Sequence, residues 1–375
     1  MRLDRFLTLY FFRPLSRIRR LPNGPRVAIL MYHSISEPDK IKRVHPYYET
    51  CTSPKVFAQH MKFLHDNNYE VISLDEAVNL LFSSRIASGT SENDSRSLVL
   101  SPKSSSLNTQ SSVLSPQDSS EDPQSSRFSS SINSKLKTQN SKLNFAPARP
   151  NRLNRPNGPN RQNQPFDHST VQPKTYVVLT FDDGYQNFYT GAFPILERYD
   201  FPATVFLSTA YIAGKGRRKF KGKNCLTWSE VRELHHQGII FGSHTVTHPK
   251  LVNLERNKIE HELKKSKKEI EDHIDHPVKA FCYPFAFPEQ DKRFVTILLL
   301  LIKECGYEMG VTTRVGLAYK KDNIFSLKRI PMNTFDDENF FLSKLSGAYN
   351  WLQKFQYVYK KVKELKKAGW SKRKK

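Results

Sequence analysis

Thr180-Phe181-Asp182-Asp183-Gly184-Tyr185 follows the short apolar run Tyr176-Val177-Val178-Leu179. A run of that length and composition makes a buried strand, and Gly184 lets the backbone turn sharply behind it. Two adjacent carboxylates therefore stand where a strand stops and a loop begins. Side chains alternate along a strand, so Asp182 and Asp183 diverge at its end, one free to bind a cation and the other free to take a proton. A polar Asp-Gly turn accounts for the same six residues without any chemistry.

The balance moves with Ser243-His244-Thr245-Val246-Thr247-His248-Pro249, which follows the strand-like Ile239-Ile240-Phe241-Gly242. On a helix, two imidazoles four residues apart project to one side, and neutral imidazole with carboxylate is a usual zinc set. Asp183, His244 and His248 then supply three ligands and leave a position open for water. A lone His-x-x-x-His pair is more often two surface histidines. Joined to the double aspartate, with each at a strand end, it becomes specific.

At these residues the chain resembles the polysaccharide deacetylases, the NodB-homology or carbohydrate esterase family 4 group. Thr180 to Tyr185 and Ser243 to His248 look like that family's first two motifs, and Phe281-Cys282-Tyr283-Pro284-Phe285 like its third. Leu226-Thr227-Trp228 resembles the usual helix opening before the histidines. Ile29-Leu30-Met31-Tyr32-His33-Ser34 resembles the amino-terminal signature of the poly-N-acetylglucosamine deacetylase branch. The likeness covers roughly residues 26–84 and 171–335. It implies an α/β fold, a distorted (β/α) barrel of the NodB type, with Asp182 as base and Asp183, His244 and His248 as ligands of a divalent metal, zinc by ligand type. The implied reaction is hydrolysis of N-acetyl groups on an amino-sugar glycan, in which a backbone N–H near Phe285 holds the oxyanion and Tyr283, Pro284 and Phe285 line the substrate; Tyr283, Phe285 and Trp228 either wall the sugar ring or simply pack the barrel.

Two departures stand against that pattern. Many members begin the third motif with an arginine that steadies the base, and here Cys282 occupies the place; Arg329, in Leu327-Lys328-Arg329-Ile330-Pro331, is the candidate replacement from another strand. The late histidine that serves as acid in many members is absent, since no histidine follows His276. His33, at a strand end in the amino-terminal signature, is then the candidate acid. The rival reading is a non-catalytic glycan-binding module on a degenerate barrel. Retention of Asp182 argues against it, because a mere binder needs no base.

The rest of the chain fits around this frame. Arg26 to Tyr32 reads as the first strand, apolar on both faces. Helices are expected at 53–68 (Ser53 as cap, Pro54 at the first position), from the Ser73 to Glu76 capping box through Leu81, and at 187–199, 227–237, 254–272 and 289–304. Strands are expected at Val71-Ile72, 203–207, 239–242, 280–283, 307–311 and 325–330. This alternation predicts a parallel barrel, whose sites collect at the carboxyl ends of its strands. At those ends fall His33, Asp182, Asp183, His244, Pro284 and Arg329.

Five segments are expected: a basic amphipathic extension at 1–25, the barrel in two parts at 26–84 and 174–335, an insertion at 85–173, and an aromatic, lysine-rich end at 336–375. The insertion is rich in Ser, Asn, Gln and Pro and lacks the apolar residues to offset chain ordering, so disorder is expected there. At 375 residues, 38% hydrophobic is low for a wholly globular chain, which agrees. Four cysteines without Cys-x-x-Cys spacing give no disulfide framework and fit a cytoplasmic location. The formal charge of +23 favours anionic partners. The apolar run Phe6 to Phe12 is too short for the about 20 residues of a membrane span. Arginines around it suit a helix lying on an anionic membrane surface, or a loose basic extension. Charged helix faces such as Lys264 to Lys268 read as solvated, so nucleic acid is not an expected partner.

Overall fold

The computed structural model describes residues 2–18, 24–38, 49–86 and 175–372, the side chains of 17–18, 84–86 and 363–372 excepted. All but the first two residues of the expected insertion lie outside these; Arg85 and Ile86 end a helix.

Among the described residues, seven strands make the barrel: β1 Arg26–Tyr32, β2 Thr175–Phe181, β3 Thr204–Leu207, β4 Ile240–Ser243, β5 Ala280–Cys282, β6 Met309–Val315 and β7 Leu327–Pro331. Each runs parallel to its neighbours in the order β1-β2-β3-β4-β5-β6-β7, and β7 pairs back onto β1 to close the ring. The β1–β2 register runs unbroken from Arg26↔Thr175 to Tyr32↔Phe181. The two chains therefore leave the sheet level with each other, and Asp182 N donates to Tyr32 O at 3.0 Å as they part.

Strand alternation decides what faces the barrel interior. Val27, Ile29, Val178, Phe206, Ala280, Cys282, Val311 and Leu327 form one cluster, whereas Ala28, Leu30, Leu179, Phe181, Val205, Leu207, Phe281 and Ile330 belong to a second, packed against the surrounding helices. Counting on by twos from the inner set reaches His33, Asp182 and Arg329. Gly242 is required in the inner set, because a Cβ there would sit 2.5 Å from the Phe206 ring and 2.9 Å from Ala280 O. The helix Leu74–Ile86 closes the other end, with Leu74, Ala77, Val78, Leu81 and Phe82 in the inner cluster.

The helices arise as the capping signals predict. Ser53 accepts from Val56 N ahead of Pro54–Asp66, and Thr227 and Glu230 make a reciprocal capping box at Trp228–His236. Ser73 and Glu76 do the same for Leu74–Ile86. The expected helix at 187–199 is instead a π-helical turn, Phe188–Ala192, leading into Phe193–Tyr199. Pro194 explains the break, since it has no N–H for the preceding turn.

The amino-terminal segment is not a loose extension. Its helical residues 3–18 dock on the carboxyl-terminal helices Glu338–Leu345 and Trp351–Lys372. Tyr349 Oη donates to Asp4 Oδ2 at 2.9 Å, Trp351 Nε1 donates to Thr8 Oγ1 at 3.0 Å, and the Phe12 and Trp351 rings stack at 4.8 Å.

Candidate active site

At the carboxyl ends of the strands, Asp182 and Arg329 meet as a bidentate pair, Nη1 to Oδ1 and Nη2 to Oδ2 each at 2.7 Å. Arg329 has no exposed surface, yet its donors all find acceptors. Nε donates to Thr312 O at 3.0 Å, Nη1 also to Thr180 Oγ1 at 3.2 Å, and Nη2 also to Cys282 Sγ at 3.1 Å. The thiol thus leaves room for, and bonds to, a guanidinium that arrives from β7. Burial alone would raise the Asp182 carboxyl, but the guanidinium outweighs it and holds it well below the usual carboxylate range. Asp182 is therefore ionised throughout the working pH range.

Asp183 turns away in a left-handed conformation, φ 72°, with Gly184 following at φ 65°. Its Oδ1 lies 3.3 Å from His248 Nε2 and 3.6 Å from His244 Nε2. His244 Nδ1 lies 2.8 Å from the carbonyl of Cys282, so that nitrogen donates to it and Nε2 faces Asp183. His248 is pushed down to about 3, by burial first and His244 second, and is neutral.

The two histidines are not on a helix: residues 244–250 form a loop, with Thr245 at φ 70° and His248 at φ 56°. The imidazoles converge because the loop is tied down from outside. Glu262 Oε2 accepts from Val246 N and Thr247 N at 2.8 and 2.9 Å, and Oε1 accepts from Thr247 Oγ1 at 2.7 Å. Glu262 was not singled out from the sequence, where its lysine-rich helix reads as a solvated face. A signal existed, for in Arg256–Ile274 it falls in the buried stripe Ile259, Glu262, Leu263, Ser266, Ile270. Lys221, also unread, has its Nζ 3.8 Å from Asp183 Oδ2.

The remaining expected residues divide. His33 Nε2 lies 3.8 Å from Asp182 Oδ2, its side chain 19% exposed. Burial lowers its pKa, with Asp182 and Asp183 opposing. Phe285 is 40% exposed at φ 59°, its ring 4.6 Å from that of His248, and Pro284 is buried beside it. Tyr283 takes no part in the mouth. Being one residue out of step with Cys282, it points outward, is 2% exposed, and packs edge-on against Phe287 at 5.1 Å. Trp228 is likewise core, stacked on the half-buried His273 at 3.8 Å.

Two clusters here could hold a metal ion, Asp183-His244-His248 and Asp182-His244-Cys282. Chemistry separates them. In the second, Asp182 and Cys282 are both engaged by Arg329, and burial keeps the thiol protonated. In the first, Asp183 Oδ1 and His248 Nδ1 are buried without a hydrogen-bond partner. One carboxylate and two imidazoles are the donor set of an open divalent site.

Such a fold and site define a parallel α/β barrel that places a buried ionised carboxylate beside a metal-competent cluster. A family profile described as Polysaccharide deacetylase matches residues 169–310, and over them the chain is similar to that family. YxkH of Bacillus subtilis (strain 168), a polysaccharide deacetylase by its name, is 30% identical over 154 residues, 41% of this chain and 50% of the relative. The poly-beta-1,6-N-acetyl-D-glucosamine N-deacetylase of Staphylococcus aureus (strain MSSA476) is 28% identical over 169 residues, 42% and 54% of the two chains. The chain thus spans about half the length of the curated relatives it matches. In fold it is similar to the Streptococcus pyogenes deacetylase PplD, with TM-score 0.54, 21% identity, and coverage of 86% of this chain and 99% of that one. It is also similar to IcaB from Ammonifex degensii, with TM-score 0.51, 14% identity, and coverage of 87% and 98%.

Proposed function

We propose that this protein hydrolyses N-acetyl groups on an amino-sugar glycan, releasing acetate, with a divalent metal, zinc by ligand type. The observation that carries the reading is the division of labour at β2: Asp182 is closed into a bidentate pair while Asp183, one residue on, is left facing two imidazoles. Asp183, His244 and His248 would hold the ion, which supplies Lewis acidity to water and to the acetyl oxygen. Asp182 takes the proton of the attacking water, and Arg329 fixes the direction in which its oxygens face. The backbone at Phe285 donates to the oxyanion, and His33 protonates the leaving amine, which departs poorly without a proton. The binding-module alternative drew its force from the arginine missing at Cys282, and Arg329 bonding both Asp182 and Cys282 speaks against it.

The test is metal content together with acetate release from N-acetylglucosamine oligomers. Asp183→Ala and His248→Ala should lose the ion, while Asp182→Asn keeps it and loses turnover by on the order of 10²–10⁴-fold. Equal metal loss in all three variants, or stoichiometric metal without any acetate from the unmodified protein, would reject the reading.

The barrel in two parts around an insertion, with helical flanks, is the domain arrangement that accompanies this proposal. An anionic membrane surface is its second partner, and a cytoplasmic, peripheral location goes with it. No helix among the described residues is long and apolar enough to cross a membrane. The docked ends instead expose Tyr10, Phe11, Phe355 and Tyr359, each more than 60% accessible, on segments that also carry Arg5, Arg13, Lys354 and Lys361. Aromatic side chains interleaved with cations suit the headgroup region.

A further inference from the structure

The mouth of the site carries a charge asymmetry that removal of an acetyl group does not require. Between Phe201 and Ser229 there is no acidic residue, while Lys215, Arg217, Arg218, Lys219, Lys221 and Lys223 crowd nine positions. Part of this run folds into a hairpin, Lys219–Phe220 against Lys223–Asn224, turning through Lys221 and Gly222 at φ 49° and 82°. Phe220 anchors it, buried 4.4 Å from the Tyr211 ring and 5.0 Å from that of His248. The turn therefore delivers Lys221 to the site.

Three of these cations are engaged. Arg217 pairs with Glu230, Arg218 donates to Ala210 O, and Lys223 Nζ bonds Cys51 Sγ. Lys221 is not so engaged. Its Nζ stands 4.5 Å from the Phe220 ring centre and 5.6 Å from that of Phe285, with only the 3.8 Å approach to Asp183. Lys250, on the histidine loop, brings a second ammonium to 5.5 Å from the Phe285 ring and makes no ion pair among the described residues. An exposed aromatic ring touching His248 thus has two ammonium groups at its margins. A neutral sugar needs the ring for stacking but gives the ammonium groups nothing to neutralise. Like charges gathered at a cleft raise the local concentration of ligands of opposite sign.

We infer that the glycan is anionic, with a carboxylate or phosphate close to the N-acetylated sugar, held by Lys221 and Lys250 across Phe285. This rests on the deacetylase reading above and names its substrate class. The experiment compares three N-acetylglucosamine substrates of similar length: a neutral oligomer, one alternating with glucuronate, and one joined through phosphodiesters. At about 20 mM salt an anionic substrate should exceed the neutral one in kcat/KM by on the order of tenfold, and the gap should close toward about 500 mM. The better of the two anionic arms identifies the group. Lys221→Gln with Lys250→Gln should collapse the ratio, and Lys250→Arg should preserve it. A ratio near one, or one indifferent to salt and to both lysines, overturns the inference. Titrating the same oligomers against Asp182→Asn separates the two claims. Anion preference in binding without acetate release from the unmodified protein overturns the deacetylase reading alone, and equal affinities overturn this one.

Discussion

Arg329 and Asp182 make a buried ion pair at 2.7 Å, and Lys344 and Asp336 make another at 2.7 Å, in very different company. Around the second pair the charges alternate until they balance. Lys344 Nζ also donates to Pro331 O, Asn333 N donates to Asp336 Oδ2, and Arg2 Nη1 faces Asp336 Oδ1 at 3.6 Å while binding Asp4. Two cations and two carboxylates close a network that joins β7 to both chain ends. Around Arg329 there is one fully buried cation and two carboxylates; Asp336 Oδ1 and Asp183 Oδ1 both lack a hydrogen bond, but the first faces the Arg2 guanidinium at 3.6 Å and the second faces imidazoles at 3.3 and 3.6 Å. The closed network can serve only stability. The open one retains attraction for a further cation, which is the property the proposed chemistry needs.

Removing the cation from each pair tests this contrast most severely. Arg329→Ala and Lys344→Ala should each cost about 3–5 kcal/mol in urea unfolding, because each strands a buried carboxylate. Only Arg329→Ala should also lower acetate release per folded molecule, by on the order of 10³-fold, through a base no longer oriented. Equal loss of specific activity in both variants would erase the distinction. His33→Ala should come next, slowing amide hydrolysis by about 10²–10⁴-fold with little change in stability or metal content. On an activated aryl acetate ester, whose leaving group needs no proton, the loss should shrink. Equal slowing of amide and ester would remove His33 as the acid and open the question of what else reaches the leaving amine.

The smallest effect is a pH dependence read on the closed side. His60 Nε2 lies 2.6 Å from Asp336 O and Nδ1 3.0 Å from Tyr32 Oη, contacts suited to the neutral ring, which stacks on Phe341 at 4.2 Å. Burial lowers its pKa from 6.5 to about 4. The folded protein therefore binds fewer protons than the unfolded chain between those values. Stability from this residue is complete above pH 6.5 and falls by roughly 3 kcal/mol as pH drops through 4. His60→Gln should flatten the urea-midpoint curve over that window relative to the unmodified protein. An unchanged slope would place the acid sensitivity elsewhere.

The sequence reached far into this molecule where the physics is local. Apolar runs of strand length placed β1 to its end residues, and cap residues placed Trp228–His236 and Pro54–Asp66 within a residue or two, because both signals act between neighbours in the chain. Strand ends, also local, already put Asp182 and Arg329 at the same rim of the barrel. What it missed was set by contacts across 15 residues or more. The looped form of the histidine segment was not foreseen, because the carboxylate of Glu262 that accepts from its amides lies on a later helix. Tyr283 was read as a wall because a motif gives residue order, while facing depends on which strand residue is the last one in register. Lys221 reached the site through a hairpin that Phe220 packs in place, and no charge pattern encodes that arrival. The chain by itself determined the elements and the kinds of ligand. The tertiary structure decided which carboxylate was neutralised and which was left open, because that depended on where a guanidinium from the last strand came to rest.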